Sequence, residues 1–330
     1  MITSLPFASH LCRNESMLPD GIAVLVQVVR TLDFNAEVLP WLDKENAGRG
    51  GFARVHKANL HDREVVVKIP VGKPNTPVTD ARTFGCAMEL FTLSVLPRHP
   101  NIVQLLCLAY PPDTTPAPAL IFTRARGGDL LHAHASGLSQ EDTFRVLIDG
   151  AKGLQHAHAH GVVHSDIKPD NILLDGPGGE QRSMRGLLAD FGLSQRLPAG
   201  TVSKEESSAM GTPGYQAPET VQRKIVSFAA DVYSFGTTVG VLLFGKTAAQ
   251  MARLVKEINS GDSRQRHLHM HALVATAKAR LPVSGLAHQD AIVHLVQLGI
   301  RCMSYKPDAR PSVIDMLQEL QSSFGPCCGA

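Results

Sequence analysis

The stretch that most constrains this chain is Val162–Asp175, VVHSDIKPDNILLD. A His, an Asp, a Lys and an Asn crowd into His164–Asn171, between the apolar pair Val162–Val163 and the apolar run Ile172–Leu174. Apolar flanks of this kind read as two buried strands, and chemically capable groups on the short loop between them describe a rigidly held active-site loop. The bland alternative is a solvated turn.

At 330 residues the chain can bury one large core or two modest ones. With 44% hydrophobic and 19% charged residues it has the composition of a soluble globular protein. The formal net charge is +2 with Lys and Arg scattered, so nothing calls for a nucleic-acid partner. Six Cys without C-x-x-C spacing suit reduced thiols in an intracellular protein, cytoplasmic or nuclear. The run Ile22–Val29, interrupted by Gln27, is too short to span a bilayer, so no integral membrane segment is expected, and Ile2 excludes N-myristoylation. Cys327 stands at a prenylation position, but Gly329 is not aliphatic, which favours a plain flexible tail over residues 323–330.

Residues 1–41 read as an N-terminal extension with an unknown partner, in which Gly21–Leu32 fits either a short helix or a strand. From Leu42 the pattern is strand, Gly-rich turn, strand, a turn at His61–Asp62, and the apolar strand Glu64–Ile69. A helix capped by Thr79 or Asp80 runs to about Leu96, and strands follow around Ile102–Tyr110 and Ala119–Thr123. After Gly127–Gly128 the text is mainly helical. Ser139 with Asp142 is a capping-box variant ahead of Phe144, Leu147, Ile148, Ala151 and Leu154, with Gly161 at the C′ position. Further helices are expected at Ala229–Leu243, Ala291–Cys302 and Pro311–Gln321, the last with Pro311 near N1, while Lys246–Gln289 holds helical pieces without an assignable pattern of bounds.

Other constellations carry chemistry. In GRGGFARV (Gly48, Arg49, Gly50, Gly51, Phe52, Ala53, Arg54, Val55) the glycines let a backbone approach phosphate oxygens, although an isolated hairpin turn would look the same. Lys68 ends the apolar strand Val65-Val66-Val67, where it either emerges into water or needs a carboxylate partner. Glu89 is the acidic residue available in the following helix after Asp80. Asp166, Asn171 and Asp190 offer hard oxygen ligands for a divalent cation, with one carboxylate to spare.

In this order, the Gly-rich turn, VVVK, HSDIKPDN, ADFG (Ala189–Gly192), GTPGYQAPE (Gly211–Glu219), DVYSFG and PDARPS resemble the motifs of eukaryotic-type protein kinases. The resemblance covers about Leu42–Gln321. It implies an α+β bilobal fold over 42–322: a small antiparallel β lobe with one helix (about 42–123) and a larger, mainly helical lobe (about 130–322). It implies transfer of the γ-phosphate of ATP, with Mg²⁺, to protein substrates. Asp166 would orient the acceptor hydroxyl, Lys168 would steady the phosphoryl group, and Asn171 and Asp190 would hold Mg²⁺. Lys68 and Glu89 would form the activating ion pair. Phe122 would be the gatekeeper, with Thr123 and Ala125 at adenine, Asp129 at ribose, and Val55, Val66 and Leu173 also among the nucleotide contacts. Glu219, Asp231 and Arg310 would be structural. Lys168 with GTPGY points to Ser/Thr acceptors, and Thr212 to part of the acceptor site. A catalytically silent scaffold is the alternative reading.

Two departures from the pattern matter. Ala53 replaces the third Gly of the Gly-rich loop, and Ser165 replaces an Arg that in this family binds a phosphorylated activation segment. A Ser cannot neutralise a phosphate, so activity is expected without phosphorylation, although Thr201, Ser203, Ser207 and Ser208 are available; otherwise Lys204 or Arg196 substitutes for the missing cation. The patches HAHAH (156–160) and HLHMH (267–271) invite a metal reading; structural histidines are the simpler one. GPGGEQRSMRG before Asp190 reads as a surface insertion.

Overall fold

The computed structural model describes residues 30–43, 48–49, 53–70, 81–110, 118–176, 184–280 and 286–324. They divide into a sheet unit, drawn from residues up to 98 and from 103–124, and a helical unit of residues 99–102 and 125 onward.

The sheet unit contains β1 (Arg30–Leu32), β2 (Gly48–Arg49), β3 (Ala53–Leu60), β4 (Arg63–Pro70), α1 (Ala81–Val95), β5 (Leu105–Ala109) and β6 (Ala119–Thr123). Its six strands are ordered β1-β5-β6-β4-β3-β2, and every neighbouring pair is antiparallel except β1 with β5. Between β3 and β4, His61 and Asp62 both take positive φ (49° and 61°), the two-residue turn whose twist matches the flanking strands. Along β4, Val65 and Val67 are buried while Val66 and Lys68 are partly exposed, so the alternation sends Lys68 away from the Val67 face.

The core on that face takes in Leu32, Phe34 and Val38 beside Val65, Val67, Ala109 and Ile121. The packed unit therefore already includes Arg30, inside the segment read from sequence as an extension ending at 41. Three-residue β1 carries no periodicity of its own and exists because the edge of β5 offers it hydrogen bonds. Leu42, read as opening a strand, forms an isolated bridge to Ala58, and the next strand among the described residues is β2. Residues 102–104, read as the start of a strand, precede β5, which begins at Leu105.

The helical unit follows as α2 (Leu130–Ala135), α3 (Gln140–Ala159), β7 (Val162–Val163), β8 (Ile172–Asp175), β9 (Arg185–Leu188), β10 (Gln195–Arg196), β11 (Ser203–Glu205), α4 (Pro218–Arg223), β12 (Ile225–Ser227), α5 (Phe228–Phe244), α6 (Ala248–Ser260), α7 (Ser263–Arg280), α8 (Leu286–Cys302) and α9 (Val313–Phe324). Helix α5 is buried continuously from Ala230 to Phe244, as an all-round apolar helix at the centre of a bundle must be. Among the described residues no single helix is long and apolar enough to cross a membrane.

Ser139 caps α3 by accepting from Asp142 N, but its hydroxyl also donates to the Asp142 carboxylate, so the reciprocal bond of a full capping box is not among those formed. Gly161 ends this helix at φ 74°. Helix α9 starts at Val313, two residues past Pro311, because the Ser312 hydroxyl accepts from Asp315 N. The stretch without an assignable pattern holds α6, α7 and the start of α8. In α7 only Leu273 and Ala277 are buried among the described side chains, too narrow a stripe to show as periodicity. The expected cap at Thr79 or Asp80 and most of the insertion before Asp190 lie outside the described residues.

Candidate active site

In the sheet unit, Lys68 Nζ donates to Glu89 Oε2 at 2.7 Å, and the Glu89 side chain is only 3% exposed. A carboxylate so removed from water requires a cationic or hydrogen-bonding partner. Ala53, in the position of the missing Gly, is fully buried and packs with Cys86 of α1, so its methyl fills space instead of merely stiffening a turn. Gly48 and Arg49 pair with Val55 and Arg54; Gly50, Gly51 and Phe52 lie outside the described residues. Val55 is registered opposite Lys68, and Val66 opposite the buried Phe122. Thr123 N donates to Gln104 O, leaving Thr123 at the end of β6.

In the helical unit, Gly127 N and Leu174 N bond to Leu174 O and Gly128 O, which fixes the chain after Ala125 against β8 and sets Asp129 opposite Leu173. Asp129 caps α2 through His132 N and also meets His132 Nδ1 at 2.8 Å. This hydrogen bond, and then the Asp129 charge, raise the His132 pKa.

Asp166 is the hub of the octet. Its Oδ1 accepts from Thr212 N (2.8 Å) and Thr212 Oγ1 (2.6 Å); its Oδ2 accepts from Lys168 Nζ (2.9 Å) and Asn171 Nδ2 (3.1 Å). Lys168 Nζ also reaches Thr212 Oγ1 at 2.7 Å, and Asn171 Nδ2 also donates to Asp166 O. Four donors saturate a carboxylate's lone pairs. The structure thus brings Asp166, Lys168, Asn171 and Thr212 into one network. Lys168 and Asn171 are placed by the turn Pro169–Asn171, where Pro169 fixes the first dihedral.

A second carboxylate lies behind the first. Buried Asp231, near the start of α5, accepts from His164 N (2.7 Å) and Ser165 N (2.8 Å) and meets His158 Nε2 at 2.8 Å. These bonds pin the loop while Ser165 takes φ 67°, a left-handed value that a non-glycine adopts only under constraint. His164 is fully buried. Asp166 N points at its Nδ1 (3.3 Å) and its Nε2 faces Ala189 O (3.0 Å), a pattern that assigns the ring proton to Nε2. The residue after Ala189 is Asp190, also left-handed at φ 62°, and Phe191 packs its ring 4.7 Å from that of His164.

Gly211 brings the segment before Thr212 onto the loop: a Cβ there would meet Ser165 O at 2.5 Å, so no side chain fits. Burial, and then the charges of Asp170 and Asp166, push the Tyr215 hydroxyl up to about 12. Farther along, Arg310 makes a bidentate pair with Glu219 (2.6 and 2.8 Å), donates to Ala229 O and Ser304 O, and lies over the Tyr233 ring. Thr201, Ser203, Ser207 and Ser208 are all exposed.

Ser165 Oγ is buried with no hydrogen-bond partner among the described residues. It borders a cavity of about 10 Å³, the size one water fills, lined by Val163, Met210, Gln216, Ser234 and Asp231 among others. The charged residue in that lining is Asp231, an anion.

Reasoning from sequence assigned His164 no role, although its place beside Asp166 was a signal. It did not single out Gln195, whose side chain binds Lys204. Neither His patch converges as a metal site: no group of three or more candidate ligands occurs among the described residues. His158 instead serves Asp231, and His156 lies beside His160, the residue that follows α3.

The model of the protein kinase domain matches residues 41–321. The probable serine/threonine-protein kinase PBL28 of Arabidopsis thaliana is 29% identical, over 84% of this chain and 74% of its own length. The serine/threonine-protein kinase BIK1 of the same plant is 34% identical, over 69% of this chain and 58% of its own. An EPD1-interacting receptor-like cytoplasmic serine/threonine-protein kinase of Nicotiana benthamiana is 29% identical over 83% of this chain, which spans 59% of that relative.

Proposed function

The chain belongs to the protein kinase family, and from that premise we propose that it transfers the γ-phosphate of Mg-ATP to Ser and Thr hydroxyls of protein substrates. The observation that carries the reading is the four-residue network on Asp166. Saturated by protein donors, Asp166 can receive an acceptor hydroxyl only if one of them yields. The Thr212 hydroxyl is the natural one, since its proton rotates freely and it occupies the position of another hydroxyl. A Ser or Thr acceptor would replace it and deliver its proton to Asp166 as the oxygen bonds to γ-phosphorus and the bond to the β-bridging oxygen breaks. Lys168, already 2.9 Å from the carboxylate, supplies the cation beside the transferring group.

The donor set fits Mg²⁺. Asn171 spends its Nδ2 on Asp166 and keeps its amide oxygen for other work, and Asp190 adds a carboxylate; both are hard oxygen ligands. The metal would neutralise phosphate charge when bound. Lys68, held by Glu89, would meet the nucleotide phosphates, with Val55, Val66, Phe122 and Thr123 of the same unit toward the base.

The finer reading is that activation-segment phosphorylation is dispensable. The space beside Ser165 is lined by neutral groups and an anion, which disfavours a phosphate there. The name of the Nicotiana benthamiana relative, a receptor-like cytoplasmic kinase, supports a cytoplasmic signalling role. A degenerate peptide library with Mg-ATP tests the reaction: incorporation on Ser and Thr is expected, reduced about 100-fold or more in Asp166→Asn. Equal incorporation by wild type and that variant would refute it. Phosphatase-treated protein is expected to keep its rate; loss of nearly all activity would overturn the finer reading.

A further inference from the structure

We infer that Lys204, together with Glu206 and Gln195, is the positioning device that holds the activation segment in place of a phosphate; this rests on the phosphorylation-independent reading above. Along β11, Ser203 and Glu205 are exposed while Lys204 turns inward, as strand alternation requires. Its Nζ donates to Gln195 Oε1 at 2.8 Å and pairs with Glu206 Oε1 at 2.7 Å. All three groups are largely withdrawn from water: Lys204 and Glu206 side chains are 23% and 22% exposed, and Gln195 is buried at 4%. A partly desolvated cation with two oxygen partners is a specific contact, unlike a mobile surface pair.

The clamp joins two strands that matter to catalysis. Gln195 lies on β10, registered opposite Val163, the residue before His164 of the catalytic loop. Lys204 lies on β11, registered opposite Val226 of β12, and the next element is α5 with Asp231. Val163, Leu197 and Val226 pack together beneath the clamp, with Met210 and Phe228 against them. The segment that ends in Gly211 and Thr212 is therefore anchored at its upstream end to the strand preceding Asp166. Its polarity is the reverse of a phosphate latch: the segment supplies the cation, and the acceptors are Gln195 on β10 and Glu206 two residues farther along. The same contacts show why Lys204 is no replacement for the Arg missing at 165, because its charge already faces Glu206.

Lys204→Met keeps the aliphatic stem and removes the charge; Glu206→Gln removes the opposing one. In phosphatase-treated protein each is expected to raise amide exchange over 203–206 at least tenfold. Each should also lower kcat/KM for peptide about tenfold, with the Kd for ATP within twofold of wild type. The swap Lys204→Glu with Glu206→Lys restores a pair, and the carboxylate moved to position 204 can accept from the Gln195 amide, so the swap should recover most of both losses. Unchanged exchange and kcat/KM in both single variants would overturn the clamp while leaving phosphorylation independence intact. An inactive phosphatase-treated wild type would instead overturn that parent reading. If Lys204→Met does not fold, Glu206→Gln alone carries the exchange measurement, and wild-type protection there has the same overturning force.

Discussion

Asp166 and Asp231 are both buried carboxylates held by several donors, and they differ in what those donors are attached to. Asp231 binds two backbone amides of the loop and a buried imidazole, groups fixed by the fold. Asp166 binds one backbone amide and three side-chain groups that rotamer changes can withdraw. One arrangement holds a conformation; the other, on the proposed function, leaves room for an incoming hydroxyl. Burial and hydrogen-bond count do not separate a supporting acid from a reactive one, whereas the mobility of the partners does.

The contrast can be broken most sharply by substituting each in turn. Asp166→Asn preserves shape and is expected to cut kcat by about 100-fold or more while moving the urea midpoint little. Asp231→Ala orphans three buried groups at roughly 1–3 kcal/mol each, so a loss of about 3 kcal/mol or more is expected in urea denaturation. If Asp166→Asn destabilises as much as Asp231→Ala, the distinction fails. A smaller effect is expected at Thr212. Thr212→Ala should lower kcat/KM about tenfold, because the Thr212 oxygen, once displaced from Asp166, still holds Lys168 Nζ; Thr212→Ser, which restores that oxygen, should recover most of it. Ser165→Ala deletes a hydroxyl that makes no hydrogen bond among the described residues, so its cost should stay within about 0.5 kcal/mol.

The gentlest test is pH. Burial, followed by the Arg280 charge, lowers the His134 pKa, and burial, followed by His156 and Lys152, lowers that of His99. The unfolded chain then takes up protons first as the pH falls. This contribution to stability is complete above the ordinary value of 6.5 and is lost as the pH drops through it toward the depressed values. The urea midpoint should be lower at pH 5.5 than at pH 7.5, and His134→Gln should flatten the dependence. Asp166 and Asp231 draw their donors from other residues, so the difference between their variants should persist at both values.

The motif order and the two-part architecture were legible because each motif carries its chemistry in a short run. Lys68 and Glu89 could be paired from sequence because buried charge demands a partner, whereas Glu219 and Arg310 were marked as structural only by the family resemblance. β1 was legible only as one of two readings of Gly21–Leu32, since three residues of edge pairing leave no periodic trace to choose strand over helix. The bounds of α7 were not legible, because its buried stripe is two residues wide. The Lys204–Gln195 contact depends on a registration of β10 with β7 and β11 with β12 that two- and three-residue strands cannot announce. Ser165 was visible as a departure, but its unsatisfied hydroxyl and the small cavity beside it emerge only in three dimensions.

The near contact at Gly211 bears on how such a chain can change over evolutionary time. With no room for a Cβ against the Ser165 carbonyl, the acceptor-side backbone rides directly on a loop whose amides are tied to α5. A small tilt of α5, from a neutral-looking exchange of one buried apolar residue for another, would be passed outward to Thr212. On the proposed role of Thr212, preference among acceptor hydroxyls would drift through substitutions that never face a substrate.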